Sequence, residues 1–198
     1  MDKMFLGNTA DRWIAGLAVA AGLYLLLFLL KKLICYLLSG RAEKTKIILD
    51  DLFLAMVRKT KPFFFAAAGL YGGSMFVFLS RTARHIVGKV TATAMLVQIG
   101  ICGTAALTVW FEKQLEKGGG GPEDGSRAAT MKVLNYFVRG ALWILVLLLV
   151  LDNLGVKITT LVAGLGIGGV AVALAVQNVL GDILAFFSII MDKPFVIR

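Results

Sequence analysis

The sequence predicts an all-α membrane protein with five transmembrane helices, the last of them rich in glycine and alanine. Hydrophobic residues make up 59% of the chain and charged residues only 17%, whereas soluble domains carry about a quarter charged residues. The charges are clustered, so that five uncharged runs remain. Because about twenty apolar residues span the hydrocarbon core of a bilayer as a helix, each run is a candidate span.

The first four spans are predicted from their uncharged runs. The first, at residues 13–38, begins with WIAGLAVAAGLYLLLFLL. That run exceeds the hydrophobic region of a signal peptide, which has about 7–15 residues, so we expect an uncleaved membrane helix. The next three spans are predicted at residues 62–80, 88–111 and 133–152.

Two segments between these spans differ in character. Residues 45–59 place Ile47, Ile48, Leu52 and Met56 on one helical face with charges opposite, which predicts an interfacial helix on the cytoplasmic leaflet. A plain extension of the flanking spans into the cytosol is the open alternative. Residues 117–127, KGGGGPEDGSR, predict a flexible linker.

The fifth apolar segment is too long for one straight crossing. Residues 158–191 contain Asp182 as their only charged residue, and a straight helix of that length would reach ~50 Å against a hydrocarbon core of ~30 Å. We therefore expect a kink where polar residues and a glycine cluster, at Gln177, Asn178 and Gly181, with the hinge at Asn178 or Gly181. After the kink, residues 183–191 are expected to run along the interface.

The glycines of this segment form the pattern GLGIGG at 164–169, which matches a dinucleotide-binding fingerprint. That fingerprint needs a preceding strand in a soluble βαβ unit, whereas residues 158–181 carry no charge. Small residues spaced i, i+4 instead let helix backbones approach closely in a bilayer. The pairs with this spacing are Gly164 and Gly168, Gly169 and Ala173, and Ala171 and Ala175.

These small residues predict helix contacts on both flanks, as in a ring of identical helices. A third face carries Gly166, Val170, Leu174 and Asn178. Because its larger apolar side chains do not fit between close neighbours, we expect them to point along the axis of the ring. We expect a larger side chain to be tolerated better at Gly16, in the first span, than at the ring positions.

The stretch TLVAGLGIGGVAVALAVQNVLGDILAFFSIIMDKPF resembles the pore-lining helix of the small-conductance mechanosensitive channel family, and the resemblance covers residues 153–198. It implies a homoheptamer whose last helices line a weakly selective pore, which membrane tension opens to release ions and small solutes under hypo-osmotic stress. By the same resemblance, Val170 and Leu174 form the two apolar rings of the gate. Asn178 stands where the family often has a kink glycine.

The resemblance also divides the chain. Residues 1–152 are expected to form a peripheral transmembrane sensor region, and residues 153–198 the pore-lining helix, the kink and an interfacial helix. Family members continue into a cytoplasmic β-domain, and we expect this chain to end before it.

The basic residues predict the orientation. With five spans and an outer N-terminus, fifteen Lys and Arg residues fall on the cytoplasmic side and six outside. The positive-inside rule then predicts an outer N-terminus and a cytoplasmic C-terminus. We expect a multi-pass protein of the cell membrane, of bacterial inner-membrane type. Basic residues of this kind contact anionic lipids; no aromatic–basic surface indicates nucleic acid as a partner.

Other classes of function find less support. A secondary transporter or a non-conducting scaffold is the alternative to a channel, but no repeat is evident and no ionisable residue lies deep in a span. Cys35, Cys102 and His85 do not form a ligand set for a metal, and the cysteines are expected to be small packing residues. Paired carboxylates and nucleophile motifs are missing, so we expect neither an enzyme nor a cofactor.

Overall fold

The computed structural model describes residues 8–42, 48–116 and 124–192, which form six α-helices and divide into two compact units, Met1–Val156 and Lys157–Arg198. The helices are α1 (Ala10–Ala42), α2 (Ile48–Lys59), α3 (Pro62–Ser74), α4 (Arg81–Glu116), α5 (Asp124–Leu154) and α6 (Thr159–Asp192). The predicted all-α class is confirmed.

Four helices of the described part are long and apolar enough to cross a membrane. They contain the stretches Ala10–Leu38, Arg81–Leu115, Ala128–Leu154 and Thr159–Ser188. The remaining apolar helix, α3, has only 13 residues and is about 20 Å long. The second predicted span, at 62–80, is therefore helical only in its first part, and its helix ends at Ser74, directly after the weak helix formers Gly72 and Gly73.

α1 and α3 pack against each other through small residues. A Cβ atom added at Gly16 would lie 2.7 Å from Val77 Cγ2 and 3.1 Å from the Gly73 carbonyl oxygen, and one added at Gly69 would lie 2.6 Å from the Ala20 carbonyl oxygen. Such distances leave no room for a side chain. Gly16 is therefore not the tolerant position that the sequence indicated, because it lies at a helix contact.

Polar contacts hold the segment around α3 against α1 at both of its ends. Near the start of α1, Asn8 Nδ2 donates to the Phe78 carbonyl oxygen and the Phe78 N–H donates to Asn8 Oδ1, both at 2.8 Å. Near the other end, Lys31 Nζ donates to the Thr60 carbonyl oxygen. Residues 60–78 thus run antiparallel to α1 from Lys31 back to Asn8.

The break between α2 and α3 is satisfied by side chains of α4. Gln98, 5% exposed, accepts a hydrogen bond of 3.0 Å from the Lys61 N–H and donates one of 3.1 Å to Cys102 Sγ. Cys102 in turn donates to the Met56 carbonyl oxygen at 3.5 Å. Cys102 therefore forms hydrogen bonds in addition to packing against its neighbours. Its apolar sequence context did not indicate these hydrogen bonds.

α2 lies antiparallel alongside the second half of α4. The ion pair between Asp51 and Lys113 joins the two helices beyond the contact of Met56 with Cys102. α2 forms most of the predicted interfacial helix 45–59, of which residues 45–47 lie outside the described part of the chain. Its depth in the bilayer stays a prediction.

α4 and α5 are antiparallel neighbours that also meet at glycines. Added Cβ atoms at Gly100 and Gly103 would lie 3.0 Å from methyl groups of Val146 and Leu142. At the other end of the pair, Asn153 Nδ2 donates to the Lys89 carbonyl oxygen at 2.9 Å.

α5 begins earlier than the sequence indicated. It starts at Asp124, nine residues before the predicted span at 133–152, so the last four residues of the predicted linker 117–127 are helical. Residues 117–123 lie outside the described part.

Candidate functional site

The residues predicted to form the site all lie on α6, in the C-terminal unit. α5 ends at Leu154 and is followed by Gly155, whose φ of 95° is a conformation that side chains disfavour. α6 then begins with a hydrogen bond of 2.9 Å from the Val162 N–H to the Ile158 carbonyl oxygen. From Ile158 to Gly181 it carries no charge.

α6 is the only described helix of its unit, so its side chains have no partner helix there. Val170 is 60% exposed and Leu174 is 65% exposed. A Cβ atom added at any of the five glycines of α6 would meet no described atom within 4 Å. The five glycines of α6 are Gly164, Gly166, Gly168, Gly169 and Gly181.

The helix distributes its small residues over two faces. At about 100° per residue, Gly164, Gly168, Ala171 and Ala175 fall within about 60° of each other and form what we call the first small face. Gly169 and Ala173 form the second small face, about 150° from the first. The three i, i+4 pairs seen in the sequence thus define two faces, because the pairs 164/168 and 171/175 share one.

The predicted gate residues lie between the two small faces. Gly166, Val170, Leu174 and Asn178 follow one strip of the helix, which we call the gate face. Its centre is about 100° from the second small face and about 110° from the first. A helix that packs through both small faces therefore leaves the centre of the gate face, at Val170 and Leu174, free of both contacts.

One further apolar residue shares the gate face. Ile167 is 75% exposed and lies about 20° around the helix from Leu174, two turns earlier. The sequence interpretation followed a single row of residues four apart and missed it. The i, i+7 spacing of Ile167 and Leu174 is the signal that identifies it.

The side of α6 opposite the gate face is uniformly bulky. Its residues are Leu161, Leu165, Val172 and Val176, which are 48%, 48%, 58% and 39% exposed. Large apolar side chains of this kind suit contact with lipid or with other apolar helices. α6 therefore presents two small faces, one gate face and one bulky face.

The kink residues lie in the second half of α6, which is helical without interruption from Thr159 to Asp192. Gln177, Asn178 and Gly181 are all exposed there. The kink stays a prediction. Among the described residues, no group of His, Cys, Asp or Glu is arranged to hold a metal ion.

Comparison with known proteins shows that the chain is similar to mechanosensitive channels. A family model described as mechanosensitive ion channel, transmembrane helices 2/3, matches residues 136–177, which include the second half of α5 and the first half of α6. The large-conductance mechanosensitive channel MscMJLR of Methanocaldococcus jannaschii is 34% identical over 158 residues, which cover 77% of this chain and 43% of that protein.

Two shorter matches point the same way. The small-conductance mechanosensitive channel MscMJ of the same organism is 42% identical over 65 residues, covering 33% of this chain and 19% of that protein. An uncharacterized MscS family protein of Helicobacter pylori is 40% identical over 65 residues, or 33% of this chain and 10% of that protein. The chain spans less than half the length of these curated relatives, and no solved structure matches it.

Proposed function

Because the chain belongs to the small-conductance mechanosensitive channel family, we propose that it is a subunit of an ion channel that membrane tension opens. The observation that carries this proposal is the arrangement of α6, whose gate face lies between two faces of small residues. The uncharged stretch 158–181 is long enough to span the bilayer.

The subunits assemble into a ring in which each α6 contacts its two neighbours through the first and second small faces. Glycine in a helix costs about 1 kcal/mol relative to alanine, and five glycines of α6 make no close contact with described residues of this chain. Contacts with other copies would offset that cost. The resemblance implies seven copies and therefore a homoheptamer.

The gate is a dry constriction formed by Val170 and Leu174 of every copy, with Ile167 as a third apolar ring toward the start of α6. Apolar constrictions block ions by expelling water even when they are wider than a bare ion. Because α6 has no charge before Asp182, no charged ring is available there for selectivity. Tension opens the pore since the wider state occupies more area in the membrane plane.

The second half of α6 turns at Gln177, Asn178 or Gly181 and then follows the interface. α6 has 34 residues, about 50 Å as a straight helix, so a straight crossing would carry its apolar end well beyond a core of ~30 Å. Gly181 has open space around it and low helix propensity, which supports a hinge there.

The chain crosses the membrane five times, and the second crossing is helical only in α3. Residues 60–78 run alongside α1 from Lys31 back to Asn8. The part of α1 that they follow is about 32 Å long, which matches the thickness of the hydrocarbon core. Asn8 supplies the hydrogen bonds of the Phe78 N–H and carbonyl groups, which in lipid need partners within the protein. Five crossings and the distribution of basic residues support an outer N-terminus and a cytoplasmic C-terminus.

Stretch-activated current is the direct test of this function. The purified chain, reconstituted in liposomes and patched, is expected to pass single-channel currents when suction is applied to the pipette. A secondary transporter or an inert scaffold would give none, and silence under suction up to membrane rupture would contradict the proposal.

A further inference from the structure

A cavity lies in the N-terminal unit between α2, α4 and α5. It has a volume of about 670 Å³, and we call it the inner cavity. Four basic residues line it: Arg58, Lys59, Lys61 and Arg139. They come from the end of α2, the turn before α3, and α5, so the fold collects cations that are far apart in the sequence.

The positive charge of the inner cavity is not neutralised by the protein. Among the side chains that the structure describes, Asp51 is the only acidic one that lines the cavity, and its carboxylate forms an ion pair with Lys113. Arg58, Lys59 and Lys61 are exposed and Arg139 is half-buried, so their head groups are free to contact a ligand.

The remaining lining explains why charge dominates the site. Thr104 and Thr108 line the cavity, but their hydroxyl groups donate to the carbonyl oxygens of Gly100 and Thr104, both at 2.8 Å. The wall beside them is apolar and includes Leu54, Ala105 and Val109. The ligand therefore needs an anionic group for the cations and a hydrocarbon part for the wall.

The depth of the inner cavity agrees with such a ligand. Arg139 directly precedes the uncharged run 140–151 of α5, and the uncharged run of α4 ends before Glu112. The cavity therefore begins near the point where the apolar part of α5 ends and extends along the apolar part of α4, from Val109 to Ile101. Its charged end at Arg139 lies at the edge of one leaflet. In the proposed orientation this is the cytoplasmic leaflet, where basic pockets between helices recognise anionic headgroups.

We propose that the inner cavity binds an anionic phospholipid, whose phosphate contacts Arg58, Lys61 and Arg139 and whose acyl chain lies against the apolar wall. In this arrangement the lipid contacts the end of α2, the turn before α3, and α5 at the same time. The break between α2 and α3 lies at the edge of the cavity. A bound lipid here couples the composition of the inner leaflet to the packing of α2 against α4.

Native mass spectrometry of the full chain in detergent tests this site. We expect phosphatidylglycerol to bind in preference to phosphatidylcholine with the same acyl chains. Each basic residue near an anionic headgroup contributes about 1 kcal/mol, or about fivefold in affinity. The double variant Arg58→Gln/Arg139→Gln should therefore bind phosphatidylglycerol about 25-fold more weakly.

Two controls separate the charge of the cavity from net charge and from folding. Lys132→Gln/Arg84→Gln removes two exposed cations outside the cavity and should leave binding unchanged. Arg58→Lys/Arg139→Lys keeps the charges and should retain most of the binding, provided that all variants elute as the parent does in gel filtration.

Three results would overturn the proposal. They are equal binding of the two lipids, equal loss in the control variant, and competition by free glycerol phosphate at the concentration of the lipid, which would indicate a site for soluble anions. Because the readout is lipid binding, a chain without stretch-activated current would contradict the proposed function and leave this site standing.

Discussion

The side chain of Asn8 and the backbone of Phe78 form two hydrogen bonds of 2.8 Å, one in each direction. Asn8 is 1% exposed and lies just before α1, whereas Phe78 lies between α3 and α4. The Arg12 guanidinium adds a contact at 4.4 Å from the centre of the Phe78 ring. One polar side chain thus fixes the end of the non-helical segment that follows α3.

Replacing Asn8 by alanine should destabilise this end of the N-terminal unit. The change leaves the N–H and carbonyl groups of Phe78 without their partner, and a buried unsatisfied group costs about 1–3 kcal/mol. We expect a lower midpoint for thermal loss of the monodisperse peak in detergent. Asn8→Asp, which keeps the acceptor and loses the donor, should lie between the parent and Asn8→Ala; an unchanged midpoint for both variants would show that the pair is dispensable.

A larger side chain at Gly73 should disrupt the contact between α1 and α3. An added Cβ atom there would overlap the Gly16 backbone, whereas one at Gly22 would meet nothing within 4 Å. Overpacking of this kind costs about 1–3 kcal/mol or more. Gly73→Leu should lower thermal stability and Gly22→Leu should not, and equal midpoints for the two variants would contradict the packing described here.

A larger side chain on the small faces of α6 should impair assembly rather than the fold of the subunit. We expect Gly168→Leu and Gly169→Leu to reduce the oligomer fraction in cross-linking, or to shift the tension threshold. Their secondary structure should be unchanged, since no described residue of the same chain lies near either position. Gly22→Leu is the matched control, and tolerance at all three positions would argue against the ring.

The proposed orientation predicts which loops a membrane-impermeant thiol reagent reaches in intact cells. In a background without Cys35 and Cys102, Ser80→Cys between α3 and α4 should be labelled, and Ser126→Cys near the start of α5 should be protected until the cells are lysed. The opposite pattern would reverse the orientation. Labelling of both positions on the same side would contradict five crossings.

Most of the helices could be predicted from the distribution of charge alone, because an uncharged run of about twenty residues is typical of a membrane-spanning helix. The second span shows the limit. Residues 62–80 are uniformly apolar, and hydropathy does not register that Gly69 and Gly73 lie against the α1 backbone. The spacing of Gly16 and Ala20, and of Gly69 and Gly73, was visible in the sequence, but the residue facing each of them was not.

The candidate site was easier to predict from the sequence than the inner cavity was. Val170 and Leu174 share a face by spacing alone, and Ile167 follows from the same rule with a wider window. Arg58 and Arg139, in contrast, are 81 positions apart, and only the packing of α2 and α5 on α4 brings them to one cavity. Long-range proximity of this kind has no local signal in the sequence.

The tension threshold of Leu174→Ser in patched liposomes tests the central claim most directly. A hydroxyl group in the apolar constriction lowers the cost of wetting the closed pore, so the variant is predicted to open at lower tension than the parent. Val172→Ser is the matched control, since Val172 is 58% exposed on the bulky face and should keep the parental threshold. A Leu174→Ser threshold equal to or above that of the parent, or an equal decrease in Val172→Ser, would remove Leu174 from the gate.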